Sequence, residues 1–341
     1  MRKGIVDSTG NRIRMISFSL AMYVVFFSSA QRPAYHTRRT EFCENEWLGN
    51  FATTEFPDNC AFHVVVAHCL ADLNWLEQEV RALRCELKSI TIYSKCGVNP
   101  THAIGRVLST KVRYVRLDNM GRCDHTYGYH MAQVALTRQV KSDEVVVFLK
   151  DTRVIHQPGY RRGLREMIDI ARGSARFSCG MVPRATAGFK YSNISIWHRT
   201  DVLSKFRLQH YHDVYEREYR SPGNFRFPDG NFVTWSESLR IDLRSSVVTP
   251  VCYGGVFATL GAQITARGHN FWYKIAQSLT RGDSIEEGHF MERLWAHVLL
   301  HRTENLSDKR VLRHGRKVIW HEHQGLQGTL YGCRETNVES L

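Results

Sequence analysis

The chain has 341 residues, of which 43% are hydrophobic and 23% are charged, a composition typical of a globular protein and not of a disordered one. The 46 Lys and Arg residues outnumber the 33 Asp and Glu residues, so the formal charge of +13 favours an anionic partner. The basic residues are scattered, whereas proteins that read nucleic acids gather them on one face with interleaved aromatic residues. No nucleic acid is therefore expected as a partner.

An uncharged stretch at residues 15–30 follows a basic N-terminal segment. Its length suits the apolar region of a signal sequence and is short for a membrane span. We therefore predict that residues 1–30 are a cleaved signal peptide or a type II signal anchor that contacts the membrane. The expected location is the Golgi, another endomembrane or, after secretion, the exterior. We predict a stem at residues 31–60, a single folded domain at 61–301 and a basic C-terminal extension at 302–341.

The cysteines and the glycosylation sequons agree with a secretory location. Nine cysteines are an odd number, so at least one is expected to stay free or to pair between chains in an oxidising compartment. No C-x-x-C motif occurs, which argues against a structural zinc site. N-glycosylation sequons begin at Asn193 and Asn305. The sequence does not decide which cysteines pair.

The folded domain alternates between short apolar runs and helical patterns. Strands are predicted at residues 62–67, 90–93, 112–117, 145–149 and 177–182. Helices are predicted at residues 72–87, from the motif at 119–127 to 140, and at 160–172, 211–219 and 285–300. Strands separated by helices imply right-handed βαβ crossovers. We therefore predict one α/β domain with a mostly parallel central sheet flanked by helices.

The most informative motif is NMGRCDHTY at residues 119–127, which opens a helical run. Gly121 permits a turn or the close approach of a ligand, and Arg122 offers a planar fork for a phosphate or carboxylate. The motif follows the third predicted strand, where open α/β sheets build sites for phosphate-bearing ligands. A turn glycine followed by a surface arginine is the alternative interpretation.

Asp151 follows the fourth predicted strand, at the edge where a parallel sheet opens onto its ligand crevice. Divalent cations bind such carboxylate oxygens, so Mn²⁺ or Mg²⁺ is the expected cofactor. Asp151 and His156 are the candidate metal ligands, and a capping role is the alternative for His156.

The helix predicted at residues 285–300 carries polar residues at its start. Either Glu286 or Glu287 could act as a general base toward an acceptor hydroxyl, and a capped amphipathic helix is the alternative. Helical spacing places Glu292 and Arg293 opposite the core-facing side chains. The preceding Tyr-Gly-Gly segment at 253–255 lets the backbone approach a ligand or forms a tight bend.

These segments, in this order over residues 62–300, resemble a family of largely uncharacterised eukaryotic proteins known only as a domain of unknown function. The resemblance rests on N-x-G-R…T-Y at 119–127, Y-G-G-x-F-A at 253–258 and E-G-H-F-x-E-R-L-W at 287–295. The family is distantly similar to GT-A type glycosyltransferases. The resemblance thus implies a Rossmann-like GT-A fold and sugar transfer from a nucleotide sugar to a glycan or another hydroxyl acceptor. A non-catalytic lumenal or cell-surface protein that binds glycans or partners on such a scaffold is the alternative.

The resemblance also implies roles for individual residues. The donor-binding residues expected from it are Asp72, Trp75, Gly121, Arg122, Asp124, Tyr127 and Lys150. The acceptor side is expected to hold Tyr253, Gly254 and Gly255, with Glu287 and His289 as catalytic residues. The family pattern has an acid where this chain has Cys123 and a glutamine where it has Lys150. Such transferases often carry a second carboxylate two residues after the first, and here that position is Arg153.

Overall fold

The computed structural model describes residues 60–100, 106–152, 162–173, 176–181, 196–206, 225–243, 248–300, 318–320 and 330–333. The predicted signal or anchor segment, His156, both sequon asparagines and the predicted helix at 211–219 lie outside these ranges. No helix within the described ranges is both long and apolar enough to span a bilayer.

A mixed six-stranded sheet flanked by helices forms the centre of the described chain. Its strands are β1 (Ala61–His68), β2 (Glu86–Ser94), β3 (Val112–Arg116), β4 (Val145–Lys150), β5 (Phe177–Cys179) and β8 (Phe257–Leu260). They lie in the order β3-β2-β1-β4-β8-β5. The first four pair in parallel, whereas β8 pairs antiparallel with both β4 and β5. The predicted α/β class is confirmed, and the antiparallel β8 makes the sheet mixed.

The remaining elements surround this sheet or lie beyond it. The helices are α1 (Asn74–Arg81), α2 (Arg106–Ser109), α3 (Arg122–Thr137), α4 (Leu164–Arg172), α5 (Thr200–Leu203), α6 (Phe232–Ser238), α7 (Gly261–Thr265), α8 (His269–Ser278) and α9 (Glu286–Leu299). Two antiparallel pairs join β6 (Ile196–Arg199) to β7 (Val248–Val251) and β9 (Val318–Trp320) to β10 (Leu330–Cys333).

The side chains of β1 divide between two apolar cores, one on each face of the sheet. Val64 and Val66 pack into the core that α1 and α4 cover, and Val65 packs into the core that α3, α8 and α9 cover. Successive side chains of a strand point to opposite faces, so a strand covered on both sides must be apolar throughout. This explains the uninterrupted valine run that predicts β1.

The predicted C-terminal end of the helix at residues 72–87 is wrong. The helix α1 ends at Arg81, and Glu86 and Leu87 already belong to β2, where they pair with Ala61 and Phe62 of β1. Pairing with a buried neighbouring strand outweighs the local helical pattern, because propensity is a weak determinant beside tertiary packing.

Three disulfide bonds join parts of the described chain, namely Cys60–Cys85, Cys69–Cys96 and Cys179–Cys252. Cys60 precedes β1 and Cys69 follows it, so the first two bonds tie the two ends of β1 to the segments that flank β2. Cys123 is free and buried.

Candidate functional site

The candidate site lies where the strand order of the sheet reverses. From β1 the chain continues to β2 on one side, and β4 is the neighbour of β1 on the other side. Open α/β sheets bind ligands at such a switch point, outside the carboxyl ends of the strands. Lys150 is the last residue of β4, and Asp151 comes directly after it.

Asp151 holds the loop after β1 in place. Its Oδ2 atom accepts hydrogen bonds from the backbone N–H groups of Cys69, at 2.7 Å, and Ala71, at 3.2 Å. The side chain is buried. These contacts fix the loop beside the Cys69–Cys96 disulfide.

Oδ2 of Asp151 is poorly placed to bind a divalent cation. One carboxylate oxygen already accepts two backbone N–H groups, and hard cations need several oxygen ligands at once. Within the described ranges, no group of three or more His, Cys, Asp or Glu side chains could hold a metal ion. The other predicted ligand, His156, lies outside those ranges.

Gly121 and Arg122 turn the chain sharply into α3. Both have left-handed backbone conformations, with φ of 54° and 51°, which is unusual for a residue with a side chain. The ammonium group of Lys95 donates to the carbonyl oxygens of Met120 and Arg122. The N–H of Gly121 donates to the carbonyl oxygen of Gly282 at 2.6 Å. These contacts fix the start of α3 at the carboxyl edge of the sheet.

The side chains of Lys150 and Cys123 both lie next to Gly255. A Cβ atom on Gly255 would be 2.7 Å from Cε of Lys150 and 3.0 Å from Sγ of Cys123, so the absence of a side chain makes room for the lysine. The hydroxyl of Tyr127 donates to the carbonyl oxygen of Gly255 at 2.8 Å, which fixes the backbone at Gly255. The two positions that depart from the family pattern are therefore neighbours in the fold.

The ammonium group of Lys150 stays charged although it is largely buried. Burial alone would lower the pKa of Lys150, but Coulomb interactions, among them those with the carboxylates of Glu292 and Asp124, outweigh burial and raise it. Within the described part of the chain, no hydrogen bond or ion pair engages this ammonium group. An unpaired buried cation is costly, so the arrangement suits an anionic ligand.

Glu292, on α9, is the carboxylate that interacts with the cationic groups of Lys150 and Arg293. Its Oε1 atom accepts the N–H of Gly254 at 2.8 Å, and its Oε2 atom lies 3.6 Å from Nη1 of Arg293. Burial would raise the pKa of Glu292, but Lys150 and Arg293 outweigh it and lower that pKa. The guanidinium of Arg293 also stacks 3.6 Å from the ring centroid of Phe206. Glu292 is therefore ionised at neutral pH.

Arg122 and His289 contact each other beside Lys150 and Glu292. The charged cluster of this site comprises Lys150, Glu292, Arg293, Arg122, His289 and Asp124. Nη1 of Arg122 lies 3.2 Å from Nε2 of His289. Burial lowers the pKa of His289 to about 3, so its ring is neutral at pH 7. A guanidinium only donates hydrogen bonds, and Nε2 of His289 is thus the acceptor. Lys150, Arg122 and Arg293 thus place three cationic groups near His289.

Asp124 is the second carboxylate of the cluster and lies in the first turn of α3. Its Oδ1 atom accepts a hydrogen bond from Nε1 of Trp295 at 2.6 Å. Burial and the charge of Glu292 raise the pKa of Asp124 to about 6. Folding therefore favours the protonated form of this side chain.

The Asp124→Asn variant is expected to lack a pH-dependent loss of stability that the wild type shows. Folding raises the pKa of Asp124 from 3.8 to about 6, so ionisation costs the folded state free energy. As the pH rises from below 4 to above 6, the wild type should lose about 3 kcal/mol relative to the variant. Chemical denaturation of both proteins at the two ends of this window measures the difference. An unchanged difference would contradict the raised pKa.

Other predicted residues have contacts of a structural kind. Both carboxylate oxygens of Glu287 are bound by Arg281, at 2.8 and 2.7 Å. Asp72 is exposed and accepts the N–H of Asn74 at the start of α1, at 2.9 Å. Trp75 packs in the apolar core beneath α1. The catalytic role of Glu287 and the donor-binding roles of Asp72 and Trp75 stay predictions that these contacts do not support.

Sequence reasoning missed several residues of the site. Glu292 and Arg293 lie within a quoted motif, but helical spacing assigns them to the outer face, whereas α9 is buried on nearly all sides. His68 and Ser94 end β1 and β2 as cross-strand neighbours. Both are buried, and Nδ1 of His68 and Oγ of Ser94 have no hydrogen-bond partner among the residues that the structure describes. Their position at the carboxyl ends of two strands is the signal that could have found them.

No model of a known protein family matches the chain, and no curated protein matches it either. The fold and the site define an α/β protein whose sheet carries a largely buried cluster of charged side chains at its carboxyl edge.

Proposed function

We propose that the chain is a glycosyltransferase that moves a sugar from a nucleotide-sugar donor to a hydroxyl acceptor. The observation that carries the proposal is the charged ammonium group of Lys150 at the switch point of the sheet, with no bonding partner among the described residues. A nucleotide sugar brings a diphosphate to such a site. Neutralising the diphosphate as it leaves is the main electrostatic help that a protein gives this reaction.

The GT-A type of architecture is part of the proposal. The parallel order β3-β2-β1-β4, with its reversal between β1 and β4, supports a Rossmann-like nucleotide-binding half. The antiparallel strand β8 follows the Tyr-Gly-Gly segment directly and brings it against Lys150. The same strand thus connects the donor side with the segment expected on the acceptor side.

The residues of the cluster divide between the two substrates in this proposal. Arg122 and Lys150 bind the diphosphate, the first through its planar fork and the second as a point charge. His289, with a neutral ring, and the segment at 253–255 line the acceptor side. Asp124 has a pKa near neutrality and keeps the local charge balanced when a ligand enters or leaves.

The secretory pathway is the proposed location. Three disulfide bonds in the described chain support an oxidising compartment, because such bonds are rare in the reducing cytosol. The predicted signal or anchor segment at residues 1–30 agrees with this location.

The alternative, a non-catalytic protein that binds glycans or partners, draws support from the predicted carboxylates. Asp151 is bound by backbone N–H groups and Glu287 by Arg281. Oδ2 of Asp151 and both oxygens of Glu287 are thus engaged by groups of the protein itself.

Thermal unfolding with a panel of nucleotide sugars tests the proposal. One donor is expected to raise the melting temperature, since a ligand at a hundred times its Kd stabilises the fold by about 2.7 kcal/mol. The same sugars without a nucleotide serve as the control and should give no shift. The donor that binds is then tested for release of its nucleoside diphosphate. Binding to a glycan array without a shift from any donor would favour the alternative.

A further inference from the structure

We propose that Lys150 takes the place of a divalent cation, so that a nucleotide diphosphate binds at this site without Mn²⁺ or Mg²⁺. The inference rests on the proposed function and names how that site holds its ligand. It departs from the Mn²⁺ or Mg²⁺ that the position of Asp151 predicts.

Asp151 is the residue whose carboxylate is predicted to hold the metal. Oδ2 of Asp151 is occupied by the N–H groups of Cys69 and Ala71, which belong to the loop after β1. Coordination of a cation by that oxygen would compete with both hydrogen bonds. The residue before Asp151 is a lysine, so the carboxyl end of β4 presents a positive charge of its own.

The charge of Lys150 lies next to Gly255 and near Cys123. A Cβ atom built on Gly255 would be 3.2 Å from Nζ of Lys150 and 3.0 Å from Sγ of Cys123. It interacts through space with Glu292 and Asp124 but forms an ion pair with neither. Its N–H groups are therefore available to an incoming phosphate oxygen.

Cys123 and Lys150, the two departures from the family pattern, act together on the charge of this site. An acid at position 123 would lie beside Lys150 and would hold its ammonium group in an internal ion pair. Burial instead raises the pKa of Cys123 to about 12, so the thiol stays neutral. Cysteine removes an internal anion and lysine supplies a cation, and together they leave one unpaired positive charge.

Two neighbouring groups complete an anion site around this charge. Arg122 is fixed by the left-handed turn into α3, which Lys95 holds through two carbonyl oxygens. The guanidinium of Arg122 lies at the same side of the cluster as His289, whose neutral ring adds no competing charge. A diphosphate between Arg122 and Lys150 would be neutralised entirely by protein groups.

Isothermal titration of the purified protein with UDP, GDP and ADP tests the inference, once in EDTA and once in MnCl₂. One nucleotide is expected to bind with the same affinity in both solutions. Lys150→Gln, which installs the residue of the family pattern, should weaken that binding in EDTA about tenfold to a hundredfold. Lys274→Gln removes the same charge from the exposed surface of α8 and should leave the affinity unchanged.

The outcomes separate the two proposals. Wild-type binding that requires MnCl₂, or unchanged binding by Lys150→Gln in EDTA, would overturn the inference and leave the proposed function standing. The absence of binding under both conditions would overturn the proposed function and the inference with it. The wild-type comparison decides the metal requirement even where the variant fails to fold.

Discussion

The Glu292→Gln variant is expected to unfold with a free energy about 3 kcal/mol lower than that of the wild type, because removing one partner from a buried ionic cluster leaves the others uncompensated. Glutamine keeps the shape of the side chain and an oxygen that accepts the N–H of Gly254. It removes the negative charge that faces Lys150 and Arg293. The loss therefore reports the charge and not the hydrogen bond.

Urea denaturation at pH 7 measures this loss, with Glu77→Gln as the matched control. Glu77 forms an ion pair one helical turn away with Arg81, whose side chain is 56% exposed, whereas the side chain of Arg293 beside Glu292 is 4% exposed. Exposed pairs of this kind contribute about 0.5 kcal/mol. Equal losses for the two variants would show that Glu292 does not balance a buried charge.

The Gly121→Ala variant should lose about 3 to 5 kcal/mol of stability, the combined cost of a left-handed alanine and of overpacking. The backbone at Gly121 has a φ of 54°. A Cβ atom there would be 2.5 Å from the carbonyl oxygen of Leu279 and 2.9 Å from Cβ of His125. Neither contact involves the far end of a flexible side chain, so the turn into α3 must shift. Arg122 would move with it.

Gly97→Ala separates the two causes of that loss. Gly97 also has a left-handed backbone, with a φ of 76°, but no atom lies within 4 Å of its Cβ position. Its substitution should therefore cost about 1 kcal/mol, which is the conformational strain alone. Thermal and urea unfolding of both variants measure the difference. If Gly121→Ala lost no more stability than Gly97→Ala, the residues around Gly121 would have to move at little cost in free energy.

The strands that the sequence predicts best are those buried on both faces. The runs at 62–67 and 145–149 predict β1 and β4 to within one residue at each end, because a strand covered by helices on both sides must be continuously apolar. The start of β2 could not be predicted in the same way. Its polar first residues are paired with β1, a neighbour distant in sequence.

The site was predicted in part, for a related reason. Gly121, Arg122, Lys150 and Gly255 come together at one edge of the sheet, as the order of the elements implies. Periodicity alone places Glu292 on a solvent-facing side of its helix, since the pattern does not reveal that neighbouring segments cover α9 nearly all round. Segments distant in sequence bury Arg293 and cover most of Glu292, and a local pattern does not show this.

The antiparallel position of β8 and the contact between Cys123 and Lys150 also depend on chain segments far apart in sequence. Each departure from the family pattern, taken singly, weakens the assignment of the site. In the proposed diphosphate site, the two adjacent departures together replace an internal anion with an unpaired cation.

Hydrogen–deuterium exchange with saturating nucleoside diphosphate, using whichever of UDP, GDP and ADP binds, tests the central claim most directly. Binding at the carboxyl edge of the sheet should slow exchange of the amides at 121–125 and 253–256. The opposite edge has a polar cavity lined by Lys88, Lys141 and Arg172, and exchange there should not change. Protection at that cavity, with unchanged exchange at the start of α3, would contradict the account.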